Sequence, residues 1–105
     1  MPMTVLLVDP DQITRTLMRY HLRRAGYTVY EADSSLLAEQ LNQQYQPRFV
    51  ILDEAISNEQ STMLNWADHQ NYILLTDLPQ PRTTGCLSLA KPITGQHLIS
   101  QLQTL

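Results

Sequence analysis

The run Val5-Leu6-Leu7-Val8, closed by Asp9, is the feature that most limits what this chain can become. Consecutive apolar residues without alternation leave no polar face, so a strand made of them must be covered on both sides. Runs of the same kind recur at Phe49-Val50-Ile51-Leu52, before Asp53-Glu54, and at Tyr72-Ile73-Leu74-Leu75, before Thr76-Asp77. Each has the length of a strand and is far too short to span a membrane, so no membrane insertion is expected. Central strands of a parallel sheet, with helices on both faces, satisfy all three.

The segments between the runs carry helical spacing. Asp11 to Ala25 holds Ile13, Leu17 and Tyr20 as an apolar face, with Asp11 as cap and Gly26 as stop. Tyr27-Thr28-Val29-Tyr30 reads as a second strand. Ser34 or Ser35 opens a second helix with Leu37, Leu41 and Tyr45 on one face, and Pro47 ends it. Met63 to Trp66 is a short helical patch, and 78–85, with Pro79 and Pro81, reads as loop. Cys86 to Ala90 forms a fifth strand, and Thr94 caps a last helix carrying Leu98, Leu102 and Leu105. Strands alternating with helices predict an α/β fold, a single doubly wound five-stranded parallel sheet with right-handed crossovers. The third helix is expected to be short and the fourth missing or replaced by a loop.

Length and composition narrow the function classes. The 105 residues suit one domain, 1–105. A net charge of -3 argues against direct nucleic-acid binding. One cysteine, Cys86, excludes an internal disulfide or a cysteine metal cage, and it is expected as a buried small hydrophobe. His21, His69 and His97 lack metal-ligand spacing. With three glycines and no phosphate-cradling loop after the first strand, a nucleotide- or flavin-binding enzyme is poorly supported. No nucleophile–base pair suggests hydrolysis, so the chain is not expected to be an enzyme. The start at Met1-Pro2-Met3-Thr4 has no secretory signal, and a cytoplasmic location is the expectation.

Ligands of such sheets sit beyond the carboxyl ends of the strands, where strand order reverses. Asp9, Asp53, Thr76 and Lys91 each stand at the exit of an apolar run, so they should converge on one rim. Converging carboxylates can hold a hard cation, and a lysine and a hydroxyl can meet phosphoryl oxygens. Lys91 is the single lysine of the chain.

At these residues the sequence resembles the receiver domain of two-component response regulators, the chemotaxis-type flavodoxin-like fold. The matching segments are Val5 to Asp9 with Arg15, Gly26-Tyr27-Thr28-Val29, Val50-Ile51-Leu52-Asp53, Leu74-Leu75-Thr76 and Lys91-Pro92. They occur in family order over nearly the whole chain. The resemblance implies that Asp53 is the phospho-acceptor and Thr76 the switch hydroxyl, with Lys91 as the phosphate-contacting lysine. It further implies an acidic Mg²⁺ pocket of Asp9, Asp53 and the backbone carbonyl of Ala55, and a cis peptide at Pro92. Implied partners are a histidine kinase, a phosphotransfer protein or a downstream effector, with a homodimer left open.

Several positions depart from the family pattern. The second acid after strand one is Pro10 here; Asp11 follows, and serves the metal only if the loop turns it inward rather than leaving it as helix cap. Losing one ligand weakens Mg²⁺ binding and phosphorylation with it. Asp77 replaces the usual small residue after the switch hydroxyl, and Ser88 the usual aromatic three residues before Lys91. Ser57 and Ser61 stand where a proline and a glycine are usual. Lys91 follows Thr76 by 15 positions, short of the family's habit by about two helical turns. A degenerate receiver is the expectation, acting through protein contacts, with a phosphate-driven receiver as the alternative. Lys91 then either keeps a phosphate role or simply neutralises Asp53. Arg15, Arg19 and Arg23, every fourth residue of the first helix, form either a solvated face or a docking stripe for an acidic partner. Trp66, with Met63 and Leu64, is either core or an exposed interface patch.

Overall fold

The computed structural model describes residues 3–57, 71–77, 86–91 and 93–104. Among these residues five strands and four helices follow in the order β1 (Thr4–Val8), α1 (Gln12–Arg24), β2 (Thr28–Ala32), α2 (Ser35–Tyr45), β3 (Phe49–Asp53), α3 (Glu54–Ser57), β4 (Asn71–Thr76), β5 (Cys86–Ala90) and α4 (Gly95–Leu102). All strand pairs are parallel and the sheet order is β2-β1-β3-β4-β5. The chain thus winds from β1 to one side and returns on the other, and the reversal lies between β1 and β3. This is the doubly wound five-stranded sheet that the apolar runs predict. Among the described residues no helix is long and apolar enough to cross a membrane.

Period-two geometry divides each central strand between two cores. Val5 and Leu7 of β1, with Phe49 and Ile51 of β3, pack with Met18 and Leu22 of α1 and Leu98 and Leu102 of α4. Leu6, Val8, Val50 and Leu52 face the other way, onto Ala38 of α2 and Ile56 of α3. A strand buried on both faces can carry no polar residue before its end, which is why the runs stop at Asp9 and Asp53.

The helix ends follow local chemistry. Asp11 caps α1 by accepting from the Thr14 amide, and Gly26 turns the chain away at φ 97°. Ser34 caps α2 through the Leu37 amide, and the helix ends at Gln46, in the left-handed region, before Pro47. Thr94 caps α4 through the His97 amide.

Two predicted helix faces are corrected. Ile13, Leu17 and Tyr20 do not face the core; they are 79%, 59% and 53% exposed. The buried stripe of α1 is Met18 and Leu22. Both stripes have helical spacing, and contacts distant in sequence choose between them. Arg15 donates to the Asp9 carbonyl at 2.7 Å, Arg15 and Arg19 pair with Glu31 of β2, and His21 lies against Gly95 of α4. In α2 the face of Leu37, Leu41 and Tyr45 is likewise rotated. Ala38 and Ser35 are buried, Leu41 is partly buried, and Tyr45 stays exposed while stacking on Tyr30 at 4.2 Å. The small Ala38 lets the helix lie close on the sheet.

The second strand also begins one residue later than predicted and runs on to Ala32, because its pairing with β1 continues to Val8. The short α3 at Glu54–Ser57 was not legible as a helix. The expectations for Met63 to Trp66, for the loop at 78–85, for Leu105 and for the Lys91–Pro92 peptide fall outside the described residues. So do those for Ser61, His69 and the side chains of Ser57 and Cys86.

Candidate functional site

Four strand ends build the rim. Asp9 follows β1, Asp53 ends β3, Thr76 ends β4 and Lys91 follows β5, so the parallel sheet delivers all four to its carboxyl edge. Asp9, Asp53 and Thr76 are buried polar residues, whereas Lys91 keeps partial access to water. The ladder carries on past the strand ends: the Asp9 amide donates to the Ala32 carbonyl and the Lys91 amide to the Thr76 carbonyl. These bonds hold the two residues in register with their neighbours.

The side chains are tied to one another. Lys91 Nζ lies 2.5 Å from Asp53 Oδ1, and the Ala55 amide donates to Asp53 Oδ2 at 2.9 Å. The Asp11 amide donates to Asp9 Oδ1 at 2.8 Å. Thr76 Oγ1 donates to Glu54 Oε2. The hydrogen bond to Asp53, assisted by attraction from Asp53, Glu54 and Asp77, holds the Lys91 ammonium above its ordinary range. Burial pushes the Asp9 carboxyl up and Asp53 repels it further, against the Asp11 amide and Lys91. A cavity of about 490 Å³ opens over this floor, walled by Ile13, Leu17, Met18, Leu75 and Ile93.

Asp11 borders the cavity, yet its carboxylate is spent elsewhere. It accepts from the Thr14 amide and, at 2.5 Å, from the Thr14 hydroxyl. Those two bonds hold its carboxyl below the usual range. Of the two roles open to Asp11, the structure has the cap. Ala55 meets the site through its amide, in the first turn of α3. Arg15 and Arg19 point to Glu31, leaving Arg23 exposed at the end of that row.

A receiver-type Mg²⁺ centre needs several anionic oxygens free to face the ion. This donor set does not fit one. Pro10 has no side-chain oxygen to give, Asp11 is turned to Thr14, and each oxygen of Asp53 already accepts one hydrogen bond. Among the described residues no three carboxylate, histidine or cysteine side chains come together as a metal site.

Glu54 is the site residue that sequence reasoning missed. It opens α3, bonds the Thr76 hydroxyl, and adds a charge near Lys91. Its signal was the adjacent pair Asp53-Glu54, of which the spacing assigns a role to Asp53 alone.

No family model matches the sequence, and no curated protein matches it significantly. Solved structures do resemble it. A CheY-like response regulator receiver domain from Methanospirillum hungatei JF-1 superposes with a TM-score of 0.84 at 16% identity, covering 99% of this chain and 93% of its own. A chemotaxis response regulator of Vibrio cholerae gives 0.82 at 21% identity, with 99% and 98% covered. A receiver domain protein from Bacillus halodurans C-125 gives 0.82 at 19%, with 99% and 97% covered. At such identities the likeness shows the fold, which is that of receiver domains.

Proposed function

We propose that this chain is a degenerate receiver that serves signal transduction as a protein-interaction module, not as an enzyme, and takes phosphate on Asp53 weakly or not at all. The observation that carries the reading is the state of Asp53. Its two carboxylate oxygens are held by Lys91 and by the Ala55 amide, and Pro10 stands where a metal-binding acid would be needed. A phosphoryl group arriving there would have to displace Lys91 from Oδ1. It would also approach past Asp9 and Glu54 without a cation to offset the charge. The Thr76 hydroxyl is already committed to Glu54, so the usual hydroxyl donor is not poised for phosphate. The partner is a signalling protein of the cytoplasm: a histidine kinase, a phosphotransfer protein or a downstream effector.

One observation favours the second reading, a receiver that accepts phosphate from a kinase with Mg²⁺. Asp53, Lys91 and Thr76 still share a rim under an open cavity. Incubation with acetyl phosphate or beryllofluoride at millimolar Mg²⁺, followed by intact mass and spectral shifts, separates the two. No adduct is the expected result. A stable adduct that Asp53→Asn abolishes would overturn the degenerate reading.

A further inference from the structure

The rotation of α1 leaves an unpartnered face. Ile13, Leu17, Tyr20 and Arg24 recur at i, i+4, i+7 and i+11, so they form one stripe along the helix, roughly 16 Å long. Its three large hydrophobic residues are more than half exposed. Solvent-facing helix positions are ordinarily polar, and a contiguous apolar stripe marks a contact.

Charge is distributed unevenly along the same helix. At its amino end the stripe meets the mouth of the rim cavity, where exposed Asp11 stands above the buried Asp9 and Asp53, the latter paired with Lys91. At its carboxyl end Arg23 and Arg24 stand with Tyr20 in a basic hollow of about 410 Å³. Arg24 donates to the Tyr20 hydroxyl at 2.7 Å and its guanidinium lies over that ring. Among the described residues no carboxylate pairs with Arg23 or Arg24.

An acidic end, an apolar middle and a basic end make a surface complementary to itself in the reversed direction. We infer that this face binds a second copy of the chain, with the two α1 helices antiparallel about a two-fold axis beside Leu17. In that arrangement Leu17 meets its symmetry mate, and Ile13 meets Tyr20 of the other copy. Arg24 of each copy comes opposite Pro10, beside Asp9 and Asp11. Each protomer thus brings a cation to the other's acidic mouth, which has none to spare while Lys91 is held by Asp53. The interface is isologous and closes at two chains. Built mainly on one helix, it belongs to the small class, below about 1,200 Å², so the dimer is a weak one. The inference does not depend on whether Asp53 takes phosphate, since association and covalent mass are read separately.

Sedimentation velocity from roughly 10 µM to 1 mM, the range in which a small interface saturates, should show monomer passing to dimer. Leu17→Asp places a carboxylate at the axis twice over and should weaken association at least about tenfold. Because Leu17 is exposed, the variant's thermal midpoint should stay that of the parent. In a Cys86→Ser background, Leu17→Cys should cross-link to itself under mild oxidation, while Leu36→Cys, exposed on α2, should not. A chain monomeric throughout the range would overturn the inference and leave the stripe to a different protein. So would a dimer indifferent to Leu17→Asp, or equal cross-linking at the two cysteines.

Discussion

Replacing Lys91 with methionine tests the central contact of the site. The substitution keeps most of the aliphatic stem and removes the ammonium that lies 2.5 Å from Asp53. At an effective dielectric of about 20 the gross attraction at that separation is roughly 6–7 kcal/mol, most of it offset by desolvation of the two charges. Truncating one member of a fully buried pair costs about 3–5 kcal/mol, because the charge left behind has no partner. Here the Asp53 side chain is 6% exposed and that of Lys91 33%, so water already screens one end. The expected loss is therefore smaller, about 1.5–2.5 kcal/mol at pH 7. In a domain of this size that lowers the thermal midpoint by roughly 10 °C. The assay is urea unfolding of four proteins: the parent, Lys91→Met, Asp53→Asn and the double variant. If the loss comes from stranding the Asp53 charge, Lys91→Met should cost almost nothing once Asp53 is asparagine. Equal losses in both backgrounds would refute this reasoning and place the effect in packing of the lysine stem.

Two further outcomes follow from named contacts. Asp9→Asn should stabilise the protein at pH 7. The folded-state pKa of Asp9 is raised above its ordinary 3.8, so its contribution is fully present below that value and is lost as pH rises through the raised one. The gain should therefore shrink on acidification toward 3.8, and midpoints measured from pH 4 to 8 check it; a gain constant with pH contradicts it. Gly95→Ala should destabilise by about 1–3 kcal/mol, since a Cβ there would clash with the His21 ring, and His21→Ala should recover part of the loss. A double-variant cycle by thermal melting measures that coupling.

Much of the architecture was legible from the positions where apolar runs stop. A strand buried on both faces admits polar residues only at its end, so Asp9, Asp53 and Thr76 announced the strand ends and their common edge together. Caps were legible for a similar reason: Asp11, Thr94 and one of Ser34 and Ser35, which the structure resolves as Ser34, act within three residues of themselves, and short-range chemistry is written in short-range sequence.

What depended on distant contacts was not legible. Two apolar stripes on α1 satisfy helical spacing equally well, and spacing alone has no means of preferring Met18 and Leu22 to Ile13, Leu17 and Tyr20. The choice rests on Glu31 in β2 and Gly95 in α4, residues that meet α1 only after the chain has folded. The same holds at the rim. The sequence by itself determined that a lysine, a hydroxyl and two acids share one edge. Only the tertiary structure decided their pairing, through the seat of Lys91 on Asp53 and the reach of Glu54 from α3 to Thr76. The strands and their common carboxyl edge follow from burial, a property of each segment, whereas pairing among polar groups follows from angstrom-scale distances between segments far apart in the chain.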